Sequence, residues 1–304
     1  LGEDRNNPPE ELVGQLEDDP YYRWLPMLTV PLHAIVLVAI AAFVGTQSLS
    51  PVAILILALT AGLYSGLGIN TAHELGHKKP ALERWLARIV LAVPAYGHFC
   101  IEHNRGHHVH VSTPEDPASS RLGQSLYSFL PRTVFGSVRS AVRIERDRRR
   151  RAGDRFFSIH NDILNAWAMS VVLFGGLVAV FGVSVLPWLV LQACIGFLML
   201  EVVNYVEHYG LLRERKENGR YERCRPEHSW NANNVASNLA LYQLQRHSDH
   251  HANPTRRYQS LRHFDDVPQL PTGYAGMMVL ALVPPLWRRV MDPRVLAFYG
   301  GDVQ

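Results

Sequence analysis

Val52–Lys79, VAILILALTAGLYSGLGINTAHELGHKK, sets two signals end to end. From Val52 to Asn70 there is no Asp, Glu, Lys or Arg, and an apolar helix of about 19 residues spans the ~30 Å of hydrocarbon in a bilayer. The run passes without a break into Thr71-Ala-His73-Glu-Leu-Gly-His77. Histidines four apart share one helical face, close enough for both imidazoles to grip one ion. A membrane helix that ends in a metal-ligand pattern predicts a bundle embedded in the bilayer, with a metal site at one face.

Working outward, Met27–Gly45 is equally free of charge and reaches Val52 through the short connector TQSLSP, so the two segments form a helical hairpin. Leu164–Val183 and Leu186–Asn204 form a second, with Glu201 as the one charged residue. Spans are expected at about 27–46, 52–72, 164–183 and 186–206. Ile89–Tyr96 and Tyr274–Pro284 are too short or too interrupted by proline, and are expected as interfacial or re-entrant helices. The fold class is all-α: an integral membrane helical bundle, one domain over 1–304, with a helical cap that holds a histidine-rich dimetal site. Lys and Arg gather on the cytoplasmic side of membrane proteins, and neither hairpin turn contains any. Segments 1–26, 71–163 and 205–304 are therefore expected in the cytoplasm.

Of 304 residues, 47% are hydrophobic and only 19% charged, which excludes intrinsic disorder. Cys100, Cys194 and Cys224 form no CxxC pair, so neither a disulfide framework nor a thiolate metal site is indicated. A net charge of +3 gives no reason to expect nucleic acid.

The anomaly is 15 histidines, and they cluster. After His73 and His77 come Glu102-His103-Asn-Arg-Gly-His107-His108, Asn204-Tyr-Val-Glu-His208, and Leu244-Gln-Arg-His247-Ser-Asp-His250-His251. Imidazole suits iron, zinc, copper or nickel, and nine candidates exceed what one ion takes, so two ions are implied. Asn70 and Asn204 lie one turn before a ligand, and Glu74, Glu102, Glu207 and Asp249 adjoin one. Any of them can orient an imidazole through its second N–H. Glu201, set in apolar sequence, is expected to be paired or functional. His33, His110, His160, His228 and His263 read as ordinary residues, and His98 as the best of the rest for a substrate-side or ligand role.

Two other chemistries compete. His73-Glu74-Leu-Gly-His77 fits HExxH, in which the glutamate serves a zinc protease as general base, but that reading leaves most of the clustered histidines unused. A metal transporter would place ionisable groups along its spans, and these spans nearly lack them.

HELGHKK, EHNRGHH, NYVEHYGL and LQRHSDHHA resemble the histidine boxes of integral-membrane di-iron oxygenases and desaturases, above all the bacterial membrane alkane hydroxylases (alkane 1-monooxygenases). The likeness runs from NNPPEE near the start to PTGY and MDP near the end. It implies two iron ions held by His73, His77, His103, His107, His108, His208, His247, His250 and His251. It further implies O2-dependent terminal hydroxylation of medium-chain n-alkanes drawn from the bilayer, with electrons from rubredoxin and its reductase, in the bacterial inner membrane. Fatty-acyl desaturases and hydroxylases share the boxes and remain the alternative. The family generally has six spans, so two are expected to precede those readable here. Ala61, Gly62, Ser65, Gly66 and Gly68 either leave room for an alkane or pack helices tightly. The run Arg143–Arg151, with Arg213, Arg215 and Lys216, offers positive charge to an acidic carrier such as rubredoxin or to anionic lipid.

Overall fold

The computed structural model describes residues 2–301. In chain order its helices are α1 (Glu10–Asp18), α2 (Pro20–Thr46), α3 (Pro51–Gly76), α4 (Ala81–Leu91), α5 (Phe99–Glu102), a π-helical segment (His103–His107), α6 (His108–His110), α7 (Leu126–Arg151), α8 (Asp162–Phe181), α9 (Leu186–His208), α10 (Val235–Ala240), α11 (His247–Ala252), α12 (Tyr274–Ala281) and α13 (Pro284–Phe298). Among the described residues there are only isolated β-bridges and no strands. The all-α expectation holds.

Four helical segments, Pro20–Thr46, Pro51–Gly76, Asp162–Phe181 and Val183–His208, are long and apolar enough to cross a membrane. Only 22–39% of each apolar window is buried within the protein, so most of it faces outward, as a lipid-facing surface requires and an aqueous one would not tolerate. Two of these helices outrun the predicted spans in an informative direction. α3 continues to Gly76 and α9 to His208, so each carries histidine out of its apolar run on a rigid rod. Ser50 starts α3 by accepting a hydrogen bond from the Ala53 N–H, with Pro51 at the first helical position, where its missing N–H costs nothing. Of the two short helices expected, Tyr274–Pro284 appears as α12, whereas Ile89–Tyr96 does not: Ile89–Leu91 is the end of α4, an amphipathic helix that begins at Ala81, and residues 92–95 form turns.

The chain divides into two compact units, each assembled from separate stretches. One comprises Pro20–Asn104 and Val138–Leu200. Within it, α2 and α3 pack as a hairpin against α4, and Leu37, Ala41, Ala58, Ala61, Trp188 and Leu189 form a core. The small residues of α3 are matched by α9: a Cβ at Gly62 would lie 2.5 Å from the Cβ of Ile195, and one at Gly66 2.7 Å from the Met199 sulfur. Side chains of α9 thus close against this stripe, and tight packing is the reading that survives.

Among the described residues, the other unit comprises 2–19, Arg105–Ser137 and 201–301. Tyr205, Tyr209, Trp230, Tyr274 and Trp287 fill its core. Their polar ends are satisfied where the interior demands it: Tyr209 donates to Asp292 at 2.6 Å, and the Trp230 indole N–H to the Tyr209 carbonyl at 2.8 Å. The NNPPEE stretch belongs here. Arg246, buried, donates to the Asn6 carbonyl at 3.0 Å, and Asn7 exchanges hydrogen bonds with the His263 backbone.

Candidate metal centre

In the first unit, His73 on α3 and His77 at its C-terminal cap meet His103. The Nε2 atoms of His77 and His103 stand 3.1 Å apart, and the rings of His73 and His77 are 5.0 Å apart, as histidines four apart on a helix should be. In the second unit, His107, His208, His247 and His251 converge, with ligand atoms all within 4.8 Å of one another. Nε2 of His247 lies 3.2 Å from that of His208 and 2.9 Å from that of His251. His108 and His250 of the same unit also face each other, their Nε2 atoms 3.2 Å apart. All four members of the quartet are buried.

Neutral imidazoles whose lone pairs point at one another repel unless a cation lies among them. The donor set fits a metal ion of the imidazole-loving transition series. Burial, reinforced by neighbouring imidazoles, pushes the His251 pKa well below its ordinary 6.5, so this ring is kept neutral with its lone pair free for a metal.

Of the cluster His103, His107 and His108, His103 stands with the α3 pair in its unit and His107 in the quartet of the other. The segment between them is π-helical, with wider turns than an α-helix, so the i,i+4 rule does not carry over.

The groups that orient the rings are partly others than expected. His107 donates from Nδ1 to Asp116 at 2.9 Å, leaving Nε2 for the ion, and Ser119 donates to the same carboxylate oxygen at 2.5 Å. Burial alone would raise the Asp116 pKa, but the electrostatic pull of the adjoining His107 ring and the hydrogen bonds from His107 and Ser119 outweigh it and bring it down to about 2. Nδ1 of His208 faces the His228 carbonyl at 3.5 Å. Asn204, expected to hold His208, instead donates to Glu201 at 3.1 Å, and Thr133 donates to that same carboxylate at 2.6 Å, which gives Glu201 the paired role foreseen for it. Asp249 turns away from the imidazoles to Arg256 and Arg262. Glu74 pairs with Lys78 at 3.0 Å. Asn70 is buried on α3. Glu207 does meet an imidazole, at Nε2 of His247. His98 packs on Tyr96 and Trp167, with burial lowering its pKa to about 4, and stays outside the histidine groups. His33 packs on Tyr64. No helical periodicity could have revealed Asp116 or His228, which reach their partners through loops.

The fatty acid desaturase family matches residues 48–281. The alkane 1-monooxygenase of Pseudomonas putida is 53% identical over 303 residues, covering 100% of this chain and 75% of that protein. The chain belongs to the alkane 1-monooxygenase family. Another member, alkane 1-monooxygenase 1 of Alcanivorax borkumensis, is 51% identical over the same extent, and the xylene/toluene monooxygenase hydroxylase component of Pseudomonas putida is 29% identical over 220 residues. In an alkane 1-monooxygenase family member, HELGH is one histidine box among several, which removes the ground for reading it as a protease motif.

Proposed function

We propose that this protein hydroxylates medium-chain n-alkanes at the terminal carbon, RCH3 + O2 + 2e⁻ + 2H⁺ → RCH2OH + H2O, at two non-haem irons held by the nine clustered histidines. The observation that carries the reading is the buried quartet His107, His208, His247 and His251 in a chain 53% identical to an alkane 1-monooxygenase. Iron bound there would supply the activation of O2. The chain's own share is to hold each imidazole in one tautomer, as Asp116 does for His107, and to keep water away from the buried rings. An alkane has no polar handle, and the outward apolar faces of the spans suit a substrate delivered through lipid.

Electrons come from rubredoxin, an acidic carrier, on the cytoplasmic side of the inner membrane where the Lys- and Arg-rich segments lie. The arginine run divides. Arg148 is tied to Glu145 and to Asp162 at the start of α8, and Arg149 to Asp154 in the loop that follows α7. Arg143, Arg146, Arg150 and Arg151 are exposed and offer positive charge to a carrier, although Arg150 also pairs with Asp147 and Arg146 lies over the Phe156 ring.

Metal analysis of the purified protein tests the reading. It predicts iron at about two per chain, the number that nine imidazoles imply. Zinc at about one per chain without iron would overturn it and restore the hydrolytic reading of HELGH.

A further inference from the structure

We infer that the pocket formed by α4, the end of α7 and the start of α8 is a binding site for the headgroup of one anionic phospholipid. All of its residues belong to the first unit, and the inference holds whatever the histidines bind.

The pocket is open, measures about 640 Å³ and is lined by Arg88, Arg148 and Arg149 together with the apolar Trp85 and Ile159. Asp162, the first residue of α8, takes Nη2 of Arg88 on one carboxylate oxygen and Nη2 of Arg148 on the other, both at 3.1 Å. One carboxylate thus holds two guanidiniums side by side. Among the described residues Arg88 makes no other hydrogen bond, and Arg148 reaches Glu145 and the His160 carbonyl through Nε and Nη2 alone. Nη1 of each is therefore unpartnered, and neither is buried. The two carboxylates of the lining, Asp154 and Asp162, are already engaged by arginine. Planar guanidiniums with N–H groups to spare match the oxygens of a phosphodiester.

Position separates a lipid from a soluble anion. Asp162 opens a helix long and apolar enough to cross a membrane, so the pocket lies where that span meets the headgroup layer. Leu82, Trp85 and Ile89, at i, i+3 and i+7 on α4, are exposed, and Phe157 and Ile159 in the loop before α8 are 84% and 83% exposed. Apolar side chains this open belong at the acyl boundary, with tryptophan at headgroup level. The Arg88 guanidinium lies over the Trp85 ring at 5.2 Å, which sets a cation beside an interfacial aromatic. Charge selects the lipid. Residues 143–162 carry seven arginines against four carboxylates, which favours an anionic headgroup over a zwitterionic one.

The test titrates the whole protein in detergent with phosphatidylglycerol, with phosphatidylcholine of the same acyl chains, or with glycerol 1-phosphate, and counts bound lipid by native mass spectrometry. Wild type is expected to take one phosphatidylglycerol at least about tenfold more tightly than phosphatidylcholine, and equal binding would overturn the inference. Arg88→Gln should lower the phosphatidylglycerol affinity about fivefold, the scale of one guanidinium beside an anionic lipid. Arg88→Lys, which keeps the charge, should lose less, and the reverse order would overturn the site. Arg155→Gln removes an exposed arginine outside the pocket and should change the affinity less than about twofold. A loss equal to that of Arg88→Gln would assign the effect to general surface charge and overturn the site. Glycerol 1-phosphate that displaces the lipid at equal concentration would make the ligand a soluble phosphate, with the same consequence. Thermal unfolding of each variant without added lipid identifies a loss of fold, in which case the wild-type preference decides alone.

Discussion

His247→Ala is expected to cut bound iron from about two per chain to about one and to lower alkane hydroxylation at least about a thousandfold, since removing one member of a catalytic unit costs nearly as much as removing all of it. His247 is the hub of its group: its Nε2 meets His208, His251 and Glu207 within 3.2 Å. Alanine leaves three imidazoles and a void where the most connected donor stood. Metal analysis and octane turnover on the same sample check the result. His160→Ala is the matched control, because the His160 side chain is exposed and, among the described residues, meets only Ser158 and Asp154 of its own loop. It should keep both iron and activity, whereas full iron in His247→Ala would remove this residue from the centre.

Asp249→Ala is expected to abolish activity by another route, through the fold of the segment that presents the last histidines. The Asp249 side chain is fully buried between His247 and His250 in sequence, yet its oxygens serve the backbone and guanidiniums around them. It accepts from Arg256 at 3.0 Å, from the Arg262 side chain at 3.1 Å, from the Arg262 backbone N–H at 3.0 Å and from Asn253 at 2.9 Å. Removing one partner of a buried charge network leaves the others desolvated and unpaired, at a cost of about 3–5 kcal/mol. Thermal unfolding of the metal-free variant should show this loss. Because the defect lies in the scaffold, excess iron should not restore turnover, and a metal-free Asp249→Ala protein as stable as wild type would contradict the assignment.

The two variants show what a sequence can and cannot disclose. The spans were legible because crossing a bilayer needs an unbroken apolar length, and helices of water-exposed folds rarely run as far without a charge as Val52–Asn70 does. The histidine groups were legible because helical spacing is a local property: His73 with His77, and His247 with His251, fall together as four-residue spacing on a helix requires. Which histidines of the cluster His103, His107 and His108 would stand together was not legible, because the segment between His103 and His107 is π-helical. The supporting groups were least legible. Asp249 sits between ligands and was expected to touch one, but the loop that follows it bends two arginines back onto its carboxylate. Asp116 lies nine residues beyond His107, in a turn that returns it to the ring. Contacts made by chain reversal leave no period in the sequence, so they emerge only in three dimensions. The small residues of α3 were ambiguous for the same reason, since composition says that space is left and only the neighbouring helix says what fills it.

The central claim is oxygen insertion into an alkane. The most direct test supplies the purified protein with octane, reduced rubredoxin and ¹⁸O2, and follows the products by mass spectrometry. The account predicts 1-octanol carrying one ¹⁸O atom from the gas, and no product without O2. Alcohol whose oxygen comes from water, or octene in place of alcohol, would contradict it.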